Sequence, residues 1–258
     1  MPGIASDRPI HVITPTYNRP GRMRFLERCL ATFRHVAGLH WIVVEDAAEP
    51  DPGVVALLAG SGIDHTCLAI GPTRRWGNAQ RDLALRHIRD SSVEGVVYLA
   101  DDDNFYEPAL FDELCKVHRA GVLPVGLLGP SGIERPILRR GRIVDWSAHW
   151  KHRRFPLDMA GFAFDAALLR KLKGPIWTFP TRGGETEFLE CLLGSPDELE
   201  ILCQGCRKCH VWHDLPLGRS PALALAAYRL RRAVIFFVER IARPLLAGRQ
   251  RGEIPHRQ

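Results

Sequence analysis

Three consecutive aspartates, Asp101, Asp102 and Asp103, close the apolar run Val96-Val97-Tyr98-Leu99-Ala100. Adjacent carboxylates repel one another, so such a cluster belongs in water or beside a cation. Hard divalent ions with oxygen ligands, Mn²⁺ or Mg²⁺, are natural partners and are often shared with a phosphate. A solvated acidic turn is the alternative these three residues alone leave open. Glu185 and Glu187 open a helical stretch after Arg182-Gly183-Gly184, where the helix dipole by itself favours acids. Asp158 is embedded in Phe155–Phe164 (FPLDMAGFAF); a charge there needs a partner, and Arg153 and Arg154 are near in sequence. Cys203, Cys206 and Cys209, with His210 and His213, have the spacing of metal ligands. Closed zinc sites usually draw ligand pairs from separate segments, so this compact set reads as ordinary thiols, with structural zinc the alternative.

The elements that must position these residues emerge from hydrophobic periodicity. Strands are expected at Ile10–Thr14, His40–Val44, Thr66–Ile70 and the run ending at Asp101. Helices are expected between them, at Gly21–Val36, Pro52–Leu58 and Gly77–Arg89. Strand–helix alternation of this kind means a parallel, doubly wound sheet with right-handed crossovers. Polar residues gather just after the strands: Thr16 and Tyr17, Glu45 and Asp46, then the aspartates. Such positions converge on one sheet edge, as a nucleotide site requires. No GxGxxG and no Walker A lysine loop is present. A nucleotide would instead be held by Tyr17 stacking, Asp46 accepting from a base N–H and a metal on the aspartates; a cap or turn role for Asp46 stands beside that reading.

Beyond the aspartates, Val122–Leu128 is expected as one strand, and Pro136–Leu138 with Ile143–Trp146 as a hairpin around Arg140-Gly141. If Cys209–His213 is a strand, Cys209 and His213 share one face and His210 points to the other. Ser220-Pro221 should start a long helix reaching Ala242, ended by Pro244, with Leu223, Leu230, Val234, Phe237 and Ile241 on one face and arginines off it. Such a basic amphipathic helix can pack on the domain, join a homodimer or lie in an anionic membrane interface.

With 46% hydrophobic and 25% charged residues in 258, the composition is that of a globular protein with a sizeable core. The net charge of +6 does not imply a nucleic-acid partner. Seven cysteines, an odd number, argue against a disulfide scaffold. The start MPGIASDRP has no apolar secretory core, and no window is long and apolar enough for a membrane span. The expectation is a cytoplasmic protein with reduced thiols, peripheral at the inner membrane face if the last helix binds lipid.

With its residues placed, the chain resembles the β-1,3-glucuronosyltransferase family, glycosyltransferase family 43. The resemblance is carried by TPTYNR (Thr14–Arg19), LHWIVVEDA (Leu39–Ala47), GxxQR (Gly77–Arg81) and VVYLADDDN (Val96–Asn104). It continues through PVGLLG (Pro124–Gly129), FPLDMAGFAF, ETEFL (Glu185–Leu189) and VWH (Val211–His213). These blocks stand in family order across roughly residues 9–214.

The resemblance implies a GT-A fold at 1–218, with a nucleotide half at about 9–104 and an acceptor half at about 105–218, followed by a basic amphipathic tail at 219–258. It implies inversion at the sugar's anomeric carbon, a UDP-sugar donor and Mn²⁺, with Mg²⁺ the alternative. Pro15, Thr16, Tyr17 and Asp46 would hold the uridine, Asp102 the ribose and Asp103 the metal. Asp101 would orient its neighbours. Arg81 and His213 would contact the donor sugar and its phosphate, a cation there suiting a glucuronate carboxylate. Glu185 would be the general base, with Glu187 its competitor, and Glu134, Arg153 and Asp158 would contact a glycan or lipid-linked glycan acceptor.

Two departures bear on the donor. Trp76 stands where the family often has arginine, with Arg75 a substitute, and Asp214-Leu215 follows VWH in place of Thr-Arg. UDP-xylose is therefore the competing donor. A non-catalytic UDP-binding assembly protein and a metal-dependent phosphohydrolase are the competing functions; the latter gives no role to the TPTY and VEDA segments.

Overall fold

The computed structural model describes residues 8–73, 76–177 and 184–237. Its centre is set by three strands with no polar face to offer water: β1 (Ile10–Thr16), β2 (Leu39–Glu45) and, after β3 (Asp64–Ala69), β4 (Val96–Leu99). Strands buried on both faces demand helices on both faces, which is the condition for a parallel sheet. Between them run α1 (Arg22–Phe33), α2 (Pro52–Ala59) and α3 (Asn78–Asp90). The parallel pairs β1–β2, β1–β4 and β2–β3 bear out the doubly wound reading.

The period of two along each strand divides the core into two layers. Ile13, Ile42, Val44, Val97 and Leu99 pack toward α3 and the aromatics Phe162, Phe164, Trp177 and Phe188. Val12, Trp41, Val43 and Tyr98 face the other way, onto Leu26, Cys29 and Phe33 of α1. That second layer is completed by Leu110 and Phe111 of α4 (Ala109–Leu114), which comes after the short β5 (Phe105–Tyr106).

The second half departs from the expectation of one strand at 122–128. The chain makes β6 (Ala120–Val122), breaks, then makes β7 (Val125–Gly126). Pro124, between them, has no N–H to continue a ladder, and the two pieces join different sheets. The hairpin β8 (Ile133–Arg139) and β9 (Arg142–Ser147) forms around Arg140-Gly141 as expected. β10 (Phe162–Asp165) runs antiparallel to both β4 and β6. After α5 (Glu185–Leu192) come β11 (Glu200–Ile201) and β12 (Val211–Trp212). The seven-stranded sheet has the order β11-β6-β10-β4-β1-β2-β3, and a five-stranded sheet, β5-β12-β7-β8-β9, stands beside it.

The last described element is a helix, Pro221–Phe237. Its docked side is Leu225, Tyr228 and Ile235, half-buried. Tyr228 donates its hydroxyl hydrogen to Gly129 O (3.1 Å) and Arg229 Nε donates to Ser131 O (3.0 Å). The aliphatic face expected from the periodicity points outward: Leu223, Leu230 and Val234 are exposed. Ile241, Ala242 and Pro244 lie outside the described residues, as do Arg75, Arg182 and Gly183. Among the described residues, no helix is long and apolar enough to cross a membrane.

Candidate active site

Register delivers the aspartates to the strand-end edge. Leu99 of β4 lies beside Ile13 of β1, and Ala100 N donates to Ile13 O (2.8 Å). The next residues therefore meet Thr16 and the segment after it. Thr16 Oγ1 donates to Asp102 Oδ2 (2.6 Å), and Arg19 Nη2 donates to Asp102 Oδ1 (2.5 Å). The Arg19 guanidinium also lies within 3.2 Å of Asp103 Oδ2, and Arg81 Nη2 donates to Asp101 Oδ1. Each aspartate thus has a cation against it. Burial nevertheless pushes Asp102 up to about 6, against the pull of Thr16 and Arg19. Asp103 keeps about a quarter of its side chain exposed toward the cavity.

The loop carrying the aspartates is fixed from behind. Arg28 donates to Asp103 O (2.5 Å) and to Leu215 O (2.5 Å), so one guanidinium ties it to the segment after β12. Asn104 Oδ1 accepts from Asp214 N (3.0 Å), a second tie to that segment. His213, just before, is set by β12, its own N donating to Gly126 O (3.0 Å).

On the nucleotide side, Asp46 Oδ1 accepts from Thr73 N (2.7 Å), while Asp46 N donates to Thr16 O (2.9 Å). Tyr17 is half exposed, with the Arg19 guanidinium 4.9 Å from its ring centroid. Glu45 does not share this place. It is fully buried against Arg22 (2.7 Å), and it accepts from Asp51 N (2.7 Å). Alternation along β2 explains the split, because neighbours on a strand point to opposite faces.

Three carboxylates converge on the opposite side, Glu134 and Glu185 buried and Asp158 half-buried. Glu134 comes from β8, Asp158 from the 3₁₀ turn before β10, and Glu185 from the first turn of α5. The Asp158 turn is anchored on the sheet, since Tyr98 of β4 donates to Ala160 O (2.9 Å). Gly184, at φ 105°, allows the chain to enter α5 with Glu185 turned inward. Glu187, two residues on, is exposed on the outer face and does not reach the cavity. Arg153 donates to Glu185 Oε2 (3.2 Å), and its guanidinium lies 5.7 Å from the Trp150 ring centroid.

Burial raises all three carboxyls above the ordinary range. Glu134 reaches about 8, with the Asp158 charge adding to the desolvation, and its buried Oε1 has no hydrogen-bond partner. Glu185 is raised by burial against the helix-start N–H and Arg153. Asp158 is raised by burial against His213, whose Nδ1 stands 3.9 Å from Asp158 Oδ2.

These two sides are the walls of one cavity of about 1070 Å³. It is lined by Pro15, Thr16, Tyr17, Asp46, Arg81, Asp101, Asp102, Asp103, Glu134, Arg153, Asp158, Glu185 and His213, the residues expected at the donor, metal, base and acceptor positions, while Glu187, Cys203, Cys206 and Cys209 lie outside it. The sequence reading gave no separate role to Arg19, nor to His149 and Trp150, which line it too. Arg19 had a signal: three carboxylates at a strand end need a cation, and this is the arginine of TPTYNR. His149 and Trp150 sit in irregular chain after β9 with no periodicity to flag them.

The cysteine set disperses. Cys206 Sγ donates to Val122 O (3.5 Å) and Cys209 Sγ to Val211 O (3.1 Å), and burial pushes both thiols up to about 12. His210 pairs instead with Glu107 (2.9 Å). Among the described residues, no group of three or more His, Cys, Asp or Glu is gathered to hold a metal by itself.

A mostly parallel sheet with an acidic strand end at its edge, and carboxylates across the cavity from it, is the architecture of a glycosyltransferase of the GT-A fold. Solved structures agree on the fold. S. aureus TarS 1-349 in complex with UDP-GlcNAc superposes with a TM-score of 0.53 at 16% identity, covering 83% of this chain and 60% of that one. The inositol-1-phosphate CTP transferase from T. maritima gives 0.55 at 11% identity, covering 87% and 98%. The family model for glycosyltransferase family 43 matches residues 29–215, and the chain belongs to that family.

Curated relatives agree. The chain is 39% identical over 222 residues to galactosylgalactosylxylosylprotein 3-beta-glucuronosyltransferase 2 of Rattus norvegicus, covering 79% of this chain and 68% of that protein. It is 40% identical over 224 residues to the sqv-8 enzyme of that name from Caenorhabditis elegans (79% and 63%). It is 31% identical over 244 residues to the P enzyme of Drosophila melanogaster (90% and 51%). The chain thus spans between about half and two thirds of these relatives' lengths.

Proposed function

We propose that this protein is an inverting transferase that moves glucuronic acid from UDP-glucuronic acid to a hydroxyl of a glycan, free or lipid-linked. The observation that carries the reading is the opposition, within one cavity, of a nucleotide wall and a buried base. Asp46 and Tyr17 suit the uracil, the former as acceptor for a base N–H and the latter as a stacking surface. Asp102, ionised and held by Thr16 and Arg19, suits the ribose hydroxyls. Arg81, at the start of α3, and His213 are the groups nearest in kind to what a sugar carboxylate and a phosphate need.

The donor set fits a hard divalent cation. Asp103 offers a partly exposed carboxylate, and with no full protein cage nearby among the described residues the remaining oxygens would come from the diphosphate, as Mg²⁺- and Mn²⁺-nucleotide sites prefer. When bound, Mn²⁺ or Mg²⁺ would supply Lewis-acid neutralisation of the charge on departing UDP.

Glu185 takes the proton. Its carboxylate removes hydrogen from the acceptor hydroxyl as that oxygen forms a bond to the anomeric carbon. The bond from that carbon to the UDP oxygen breaks on the far side, so configuration inverts. Burial raises the Glu185 carboxyl and so makes it a stronger base than an ordinary glutamate. Arg153 keeps it ionised and oriented. Asp158 and Glu134 are placed to bond the acceptor's other hydroxyls.

The test is Glu185→Gln, assayed with UDP-glucuronic acid, UDP-xylose and Mn²⁺ against a β-galactoside acceptor. Turnover should fall by roughly 10²–10⁴-fold with UDP affinity retained, and a chelator should abolish wild-type transfer. The acid limb of wild-type kcat/KM should lie above the ordinary glutamate range, because the base must be ionised to act. Full turnover by the variant would remove Glu185 from the chemistry, and preference for UDP-xylose would reassign the donor.

A further inference from the structure

The helix Pro221–Phe237 docks through Leu225, Tyr228 and Ile235 and turns its aliphatic stripe out. Leu223, Leu230 and Val234 are 67%, 68% and 53% exposed, values at odds with a helix that has finished packing. At about 100° per residue, these three fall with Ala226 and Ala227 in a single arc of roughly 100°. Arg231 borders the arc on one side and Arg229 on the other. The inner side is fixed rather than free to roll. A side chain at Gly132 would stand 2.7 Å from Leu225 and 3.2 Å from Tyr228, and Tyr228 and Arg229 bond the same turn.

Charge identifies what covers the outer face. From Leu215 to Val238 there is no aspartate or glutamate, while Arg219, Arg229 and Arg231 are exposed and Arg232 lies on the docked side. A second copy would bring the same positive charges to the seam and repel. A surface of phosphodiester headgroups over acyl chains complements both parts, anions beside the arginines and hydrocarbon under the leucines. We infer that this helix is a monotopic membrane-binding element that lies in the interface of an anionic lipid surface.

The placement bears on the active site. The turn that the helix grips leads into β8, the strand of Glu134, and burial, with the Arg232 charge adding to it, lowers the basicity of His149 at the cavity wall. A lipid surface on the outer face therefore lies on the acceptor half of the molecule. Lipid binding itself does not depend on which sugar the site moves.

The experiment is co-sedimentation of the full chain with vesicles of phosphatidylcholine alone and of equal parts phosphatidylcholine and phosphatidylglycerol. The protein should bind the second and not the first, and release as salt rises. Leu223→Ser/Leu230→Ser/Val234→Ser should weaken binding by at least about tenfold, with helix content and turnover on a soluble acceptor unchanged. Arg229→Gln/Arg231→Gln should weaken it by about fivefold per arginine and flatten the salt dependence. Failure of the wild type to bind anionic vesicles, or equal binding by the triple-serine variant, overturns the assignment. So does a dimer in light scattering that the serine variant dissolves, because that gives the face to a second copy.

Discussion

Glu134 offers the sharpest test of the electrostatics of the acceptor wall. It is buried, one of its oxygens has no partner, and its carboxyl stays protonated to about 8 instead of the ordinary 4.5. Between those two values the folded protein holds a proton that the unfolded chain has lost. Stability must therefore fall as pH rises through that window, the reverse of a salt-bridged acid. At 1.36 kcal/mol per pH unit, the full interval corresponds to at most roughly 5 kcal/mol. Water entering the open cavity would solvate part of the charge, leaving about 2–3 kcal/mol. Glu134→Gln keeps the shape of the protonated acid and cannot ionise. Thermal unfolding should show the variant and the wild type within a degree or two of each other at pH 5. At pH 8.5 the variant should melt about 5–10 °C higher, taking roughly 2–4 °C per kcal/mol for a chain of this size. Parallel melting curves across that range would refute the claim that Glu134 is charged at a stability cost. Turnover should fall in the same variant if its carboxyl meets the acceptor, so that stability and activity move in opposite directions.

Arg19→Gln leaves Asp102 buried without its guanidinium; chemical denaturation should register a loss of roughly 3 kcal/mol above pH 8, shrinking as pH falls toward 6, because Asp102 without Arg19 takes a proton at a higher pH than the wild type's about 6. Gly71→Ala would set a methyl 2.1 Å from Asp46 Oδ1 at φ +148°, and calorimetry should show UDP affinity down by at least about tenfold, since strain on the order of 1–3 kcal/mol falls on that carboxylate; unchanged affinity would take Asp46 out of the nucleotide wall. Asp82 accepts from Ile176 N (2.6 Å), Trp177 N (2.7 Å) and Arg86 (2.9 Å), so Asp82→Ala should cost about 3 kcal/mol or more, read as a lower denaturation midpoint.

The parallel sheet and the edge bearing the site were legible because the physics there is one-dimensional. A strand apolar on every residue can only be central, and the residues just after it can only lie at a sheet end. The residues that escaped depend on facts between segments. Glu45 and Asp46 are adjacent and polar, yet alternation sends one to Arg22 and the other to the cavity. Nothing in Val122–Leu128 except Pro124 announces that the chain leaves one sheet for another. For the last helix, periodicity found the aliphatic stripe correctly but not its direction, because an apolar face reads the same whether it meets a core or is left outside. Between Glu185 and Glu187, helix-dipole reasoning was blind, since both acids sit in the first turn; only the burial of Phe188 and Leu189 fixes which way that turn faces.

The charge balance of the cavity argues for the role assigned to a divalent cation. Among the described residues, its lining carries Asp46, Asp101, Asp102, Asp103, Glu134, Asp158, Glu185 and Asp214 against Arg19, Arg81 and Arg153. Glu134 keeps its proton at neutral pH, which leaves the wall strongly negative even with every guanidinium counted. A nucleoside diphosphate entering such a wall is repelled unless positive charge enters with it. The three arginines cannot serve freely, because Arg19 is committed to Asp102 and Asp103, Arg81 to Asp101 and Arg153 to Glu185. Here Asp214 stands where the resemblance calls for Thr-Arg, which moves the balance further toward negative. The proposed metal at Asp103 would supply the positive charge that an acidic wall and an acidic substrate both lack, and Arg19 contacts Asp103 through one carboxylate oxygen only.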